Sequence, residues 1–186
     1  MTLLTIDEIQ VGLDREFLPL EPMLCGFRLV QKSVPNQLVE DVENKLLVSL
    51  PKEFRDLILA FDFGQLTIGP VAFFATGDYF SELFQLNTQV NWWRGEQRPE
   101  GLLMVANSDP FAILLDLKTG AVLAMDAEIG YEKSVRIARN FRDFLLGIGT
   151  LMLMRNVSND RQDLARTVSS DVGSVDLEFW LGLASP

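Results

Sequence analysis

Histidine is absent from this 186-residue chain, and cysteine occurs once, at Cys25. Those two scarcities remove whole classes of chemistry. Without an imidazole there is no Ser–His or Cys–His nucleophile pair and no histidine-dependent metal centre. One thiol cannot close an internal disulfide, and with no base to activate it Cys25 reads as a small core residue. No catalytic residue, metal-ligand set or cofactor is expected. Long apolar runs are missing too. The most apolar stretch, LLGIGTLMLM at residues 145–154, covers ten residues, against the roughly 20 that span a bilayer. A buried helix is expected there, and no membrane partner. Asp7, Glu8, Asp14 and Glu16 interrupt the region where a secretion signal would carry its apolar centre. The expected setting is therefore cytoplasmic.

What is present is acid. The formal net charge is −10, and residues 1–132 hold 20 acids against 9 bases while residues 133–186 hold 6 against 7. A negative body repels phosphate backbones, so no nucleic-acid partner is expected and a basic protein is the natural one. The plainer reading is that acidity keeps the protein soluble.

Thr5-Ile6-Asp7-Glu8 has capping-box spacing and predicts a short helix, broken by Pro19 and Pro22. Gly26 to Gln31 is expected as a strand. Leu38, Val39, Val42 and Leu46 predict a helix over 35–47. In SLPKEFRDLILAFDFGQLTIG, residues 49–69, Ser49 is expected to cap and Pro51 to open a second helix. Phe54, Leu57, Ile58 and Phe61 form its buried face, and Gly64 is expected to end it in the left-handed conformation. QLTIGPVAFF reads as strand material broken at Gly69-Pro70. Every residue type in the 49–69 stretch thus has a structural job.

Asp78 is expected to cap a helix that turns Phe80, Leu83 and Phe84 inward. Trp92 and Trp93 are adjacent; on a strand one would be buried and the other would face outward. Residues 102–106, 111–117 and 121–126 predict an apolar three-strand meander, with turns at Asn107–Pro110 and Lys118–Gly120. Helices should pack on so apolar a sheet. Residues 134–138 read as a further strand. Asn140 is expected to cap a helix with Phe141, Phe144, Leu145 and Ile148 inward. Ser158 and Ser174 lead into two last helical segments.

This order resembles the SMI1/KNR4 family of the SUKH superfamily. Leu50-Pro51-Lys52-Glu53-Phe54-Arg55-Asp56-Leu57-Ile58 is similar to the family's Leu-Pro-led helix, with Gly64 at its end. Leu102–Asn107, Leu114–Asp116 and Thr119–Val122 resemble its central strands. Asn140-Phe141-Arg142-Asp143-Phe144-Leu145 resembles its closing helix, with Asn140 where serine is usual. The resemblance implies a single α+β domain over 35–150: a mixed, mainly antiparallel sheet packed by helices. Residues 1–34 form an N-terminal extension and residues 151–186 a helical C-terminal one packed on the domain. It also implies a non-enzymatic immunity protein that binds and neutralises a toxin, many such toxins being nucleases, or else a regulatory adaptor.

For a toxin partner, the candidate contacts are the loop acids Asp78, Glu82, Glu96, Glu100 and Asp109, with Trp92 or Trp93 as aromatic anchor. Taken singly, each acid reads first as solvated surface and each tryptophan as core. Arg155, Arg161 and Arg166 offer the C-terminal part a surface for another protein or a second copy, so a homo-oligomer is compatible. A carboxylate enzyme would need Asp116 and Asp126 brought together.

Overall fold

In a computed structural model of the chain, residues 2–74 and 76–185 are described. The element order is α1 (Ile6–Phe17), α2 (Asn36–Leu46), α3 (Lys52–Ala60), β1 (Thr67–Ile68), β2 (Val71–Ala72), α4 (Tyr79–Thr88), β3 (Leu102–Ser108), β4 (Phe111–Asp116), β5 (Val122–Asp126), β6 (Val135–Ala138), α5 (Phe141–Met154), α6 (Arg161–Asp171) and α7 (Leu177–Ala184). The strands lie side by side in chain order, and each pairing is antiparallel. This is the expected α+β fold, although the sheet holds no parallel pair among the described residues. Short turns account for the β1–β2, β3–β4 and β4–β5 pairs, since hairpin turns can join only antiparallel neighbours, whereas β2 and β3 are joined through α4.

The inner face of the sheet carries Leu103, Val105, Ile113, Leu115, Val122 and Ala124, all buried against the helices. An aromatic chain runs through this core. Phe54 of α3 meets Phe141 of α5 edge-on at 4.6 Å between ring centres, and Phe63 meets Phe73 at 5.1 Å. Phe144 reaches Trp180 of α7 at 6.3 Å, and Phe179 reaches Phe111 of β4 at 5.7 Å. Offset and edge-on rings of this kind each contribute about 0.5–1.5 kcal/mol beyond their burial. The 49–69 stretch is therefore frame. Its helix supplies Phe54, and its exit supplies Phe63.

Beyond Arg142 and Asp143 of its first turn, helix α5 is largely apolar and packed over most of its surface. A Cβ on Gly147 would lie 2.6 Å from the Trp180 ring, and one on Gly149 would lie 2.6 Å from Ile9 of α1. The two glycines let α7 and α1 close on opposite flanks. The capping box of α1 forms as expected, with Thr5 Oγ accepting the Glu8 amide and the Glu8 carboxylate accepting the Thr5 amide.

Several local expectations are corrected. Pro51, not Ser49, precedes the first residue of α3. That helix stops at Ala60, and Phe61 leaves it extended, so Gly64 is not its left-handed cap. Gly64 is required for room instead, because a Cβ there would sit 2.4 Å from the Gly77 carbonyl. Asn107 and Ser108 belong to β3, which leaves Asp109-Pro110 as the turn. Ser158 and Ser174 do lead into α6 and α7, with Asp160 and Asp176 as the caps. Phe80 and Phe84 are only half-buried. Of the loop or strand open to Trp92 and Trp93, the structure has a 3-10 turn, Val90–Trp93.

The expected strand at 26–31 forms no strand. It runs antiparallel beside residues 60–67 with one bridge, Gln31 to Phe61. Its main-chain bonds are real but irregular: Lys32 donates to Ala60 at 2.9 Å, Asp62 to Val30 at 2.9 Å and Thr67 to Gly26 at 2.7 Å. The segment so covers the free edge of β1. The opposite edge, β6, is covered by the α6–α7 connection. Arg139 donates to the Val172 carbonyl at 2.9 Å, Val175 to that of Arg136 at 3.0 Å, and Trp180 Nε1 to that of Ile137 at 3.1 Å.

A third exposed flank belongs to β3. Strand β2 has two residues and reaches only Asn107. Beyond it, α4 takes over. The buried Asn87 amide nitrogen donates to the Met104 carbonyl at 2.8 Å, and its oxygen accepts the Met104 amide at 2.8 Å. One side chain thereby imitates a neighbouring strand. Tyr79 Oη donates to the Val105 carbonyl at 3.1 Å, and burial pushes its phenol up, so it stays a donor. Replacing Asn87→Ala strands both Met104 groups. The expected loss is about 2–4 kcal/mol in urea unfolding, with faster hydrogen exchange at the Met104 amide. Unchanged stability would show that other groups hold this flank.

Candidate interaction surface

The outer face of the sheet is divided into rows by the strand register. Met104 pairs with Leu114, and Leu114 with Leu123. The 3-10 turn after α4 lays Trp93 over this row, where it packs with Met104, Leu114 and Met125 and donates its indole N–H to the Leu86 carbonyl at 3.1 Å. The next row runs Ala72–Asn107–Ala112–Met125 across four strands. Its Ala112 and Met125 end is buried, at 5% and 3% exposure, in the cluster around Trp93, whereas Ala72 and Asn107 are half-buried. Two of its four members are alanine, so a groove of about 440 Å³ opens, with Trp92, Asp109 and Phe111 along its sides. Trp92 is 43% exposed, whereas Trp93 is 2% exposed. The half-buried Asn107 carboxamide makes no hydrogen bond within the described residues.

The charge at this end of the sheet is acidic. Pairing of Phe111 with Asp126 puts the β3–β4 turn beside the end of β5. Asp109 and Glu128 are exposed and in no ion pair among the described residues. Asp126 accepts the Glu128 and Ile129 amides and shapes the following turn. Arg94 reaches the same turn but directs its guanidinium to the Ile129 carbonyl at 2.7 Å.

Of the candidate contacts, Trp92 and Asp109 are brought together. Trp93 belongs to the core. Asp78 caps α4, whose ten residues set it about 15 Å from the far end, where Trp92 follows, and Glu82, in the first turn, stands about 9 Å from that end. Asp78 is engaged locally as the N-cap, accepting the Ser81 amide at 3.1 Å and the Ser81 hydroxyl at 2.6 Å. Glu82 accepts the Thr76 amide at 2.6 Å. Glu96 and Glu100 are exposed in the connection to β3. Glu100 and Asp109 flank β3, whose seven residues separate them by about 23 Å. Asp116 and Asp126 lie at opposite ends of the β4–β5 hairpin, each accepting amides of its own turn. They are not brought together, and no group of three or more Cys, Asp or Glu among the described residues is arranged to hold a metal ion.

The outer row itself has no signal in residue types alone. Ala72, Asn107, Ala112 and Met125 become neighbours only through register. Nor does any helix among the described residues have the length and apolarity to cross a membrane.

A model of the SMI1 / KNR4 family (SUKH-1) matches residues 34–147, well over half of the chain. The protein belongs to this family. The match takes in every strand, the 3-10 turn and the outer groove. The segments that cover the two sheet edges lie outside it. No curated protein matches the chain.

The hydrogen bonds from the Ser81 hydroxyl and amide hold the Asp78 carboxyl below its ordinary range. A depressed folded value stabilises above the unfolded pKa, and that contribution is lost as pH falls through the folded one. Asp78→Ala should therefore cost about 1 kcal/mol at neutral pH. In urea titrations the gap to the parent should narrow as pH drops through the depressed range. A gap independent of pH would mean the carboxylate is not the cap's active form.

Proposed function

We propose that this chain is a non-enzymatic immunity protein that binds and neutralises a cognate bacterial toxin in the cytoplasm. One observation carries the reading: a family domain keeps a groove beside the exposed Trp92, next to acids that form no ion pair among the described residues. Soluble domains normally fill or cover such a groove, and a lined but open apolar groove beside a tryptophan is the form of a protein contact. The acidic body, net −10, favours a basic partner and speeds encounter by charge steering. A nuclease is a suitable target, because its cleft is built to receive phosphate, and acids on a rigid surface occupy the same field.

The chain's own chemistry supports binding over turnover. It has no histidine. Asp116 and Asp126, the acids offered for carboxylate chemistry by sequence, are engaged in two separate turns. The alternative within the family is a regulatory adaptor with no toxin target, and it differs in outcome. Co-expression with the toxin domain encoded beside this gene should restore growth. Purified, the two should form a complex whose association rate falls by about tenfold or more from low to high salt. A stable complex with another protein, without protection, would favour the adaptor. Rescue with a salt-independent rate would remove the steering component.

A further inference from the structure

Resting on that reading, we infer that the Ala72–Asn107–Ala112–Met125 row is the docking site for one aliphatic side chain of a basic protein, presented between lysines or arginines. Three features select this occupant. The groove, about 440 Å³, is at the small end of the roughly 300–1,000 Å³ typical of ligand sites. It takes one or two side chains, not a helix face. Its floor is Ala72 with the barely exposed Ala112, Met104 and Met125, which pack beneath Trp93, and Phe111 and Trp92 line the sides. Thioethers re-pack around unlike aliphatic shapes at little cost. Its rim is acidic: Asp109 and Glu128 have no cationic partner among the described residues, and Arg94 is directed to a carbonyl. Cations flanking the inserted side chain meet those carboxylates. Asn107 offers its carboxamide to the main chain of the same segment.

The two parts act on different rates. Rim acids govern approach, and the filled row governs residence. The row is also separate from the inner core, because β3 and β4 turn their inner residues to the helices. A change on the outer row leaves the aromatic core in place.

Methyl-labelled methionine gives a direct readout, since Met104 and Met125 line the groove while Met23, Met152 and Met154 lie elsewhere. The probes are three five-residue peptides: leucine between pairs of lysines, serine between pairs of lysines, and leucine between pairs of glutamates. The lysine–leucine peptide should shift the Met104 and Met125 methyl signals with saturation. The other two should require at least about tenfold more peptide. Ala112→Leu, which fills the row, should abolish the shifts, and Asp109→Asn with Glu128→Gln should weaken them. Trp92→Ala provides a second test, at the surface, that leaves the floor intact and should also weaken them. Equal response to the lysine and glutamate peptides would overturn the charge assignment. No response at either methionine would overturn the site. Shifts that grow with protein concentration alone would overturn it too, by assigning the groove to a second copy of the chain. Toxin protection with silent methionines would sink the groove and leave the immunity reading, and shifted methionines without protection would do the reverse.

Discussion

A sheet whose strands end unevenly leaves main-chain amides and carbonyls facing no strand, and each one buried without a partner costs about 1–3 kcal/mol. This chain meets that constraint at three places with three different devices. An irregular N-terminal segment lies along β1, the α6–α7 connection lies along β6, and the Asn87 side chain bonds both groups of Met104 beside the short β2. Much else follows from these closures. Trp180 has to be buried beside β6 to reach the Ile137 carbonyl, and Gly147 has to be glycine-sized for its ring to fit. Closed edges also deny other chains a template for strand addition. Contacts to a partner must then be made through a face of the sheet or through loops.

Both sheet faces are apolar, but they are covered to different extents. The inner face is sealed by helices whose aromatic residues meet in one chain from α3 to β4. The outer face has one short 3-10 turn, and its single buried tryptophan packs with Met104 and Leu114 and with Ala112 and Met125 of the next row. Adjacent Trp92 and Trp93 cannot both point down from so tight a turn. One closes its row and the other borders the next. The groove beside Trp92 is thus a consequence of the turn's length, and the alanines at 72 and 112 keep it from filling itself.

Much of the frame was legible in the residues. The spacing of Val39, Val42 and Leu46, of Phe54, Leu57 and Ile58, and of Phe141, Phe144 and Leu145 located three helices, because a buried stripe repeats with the helical turn. The apolar runs at 102–126 located the meander. Capping was harder to place at α3, where Ser49 was expected and Pro51 stands without a side-chain cap bond. The outer row was not legible at all. Strict alternation along β3 would put Met104 and Ala106 on one face and Asn107 on the other. A register shift between Met104 and Ala106 turns Val105 and Ala106 both inward and Asn107 outward. Such a bulge is decided by pairing with β4, information that one strand's own residues do not carry. Asn87 escaped for a related reason. A buried amide within a helix is meaningful only once the unpaired strand it faces is known.

Division of labour along the chain follows from the same geometry. Every residue of the outer row falls within 34–147, the stretch that defines the family, whereas the segments closing β1 and β6 fall outside it. Edge closure asks only for main-chain groups at the right spacing, so many sequences can supply it. A groove asks for particular side chains in register: small at 72 and 112, flexible at 104 and 125, wide at 92. Substitutions in the edge segments would act on stability and self-association. Substitutions in the row would act on which side chain fits. Partner choice can therefore change by altering a few outward residues of β2 to β5 while the inward residues of the same strands, one position away, continue to hold the aromatic core.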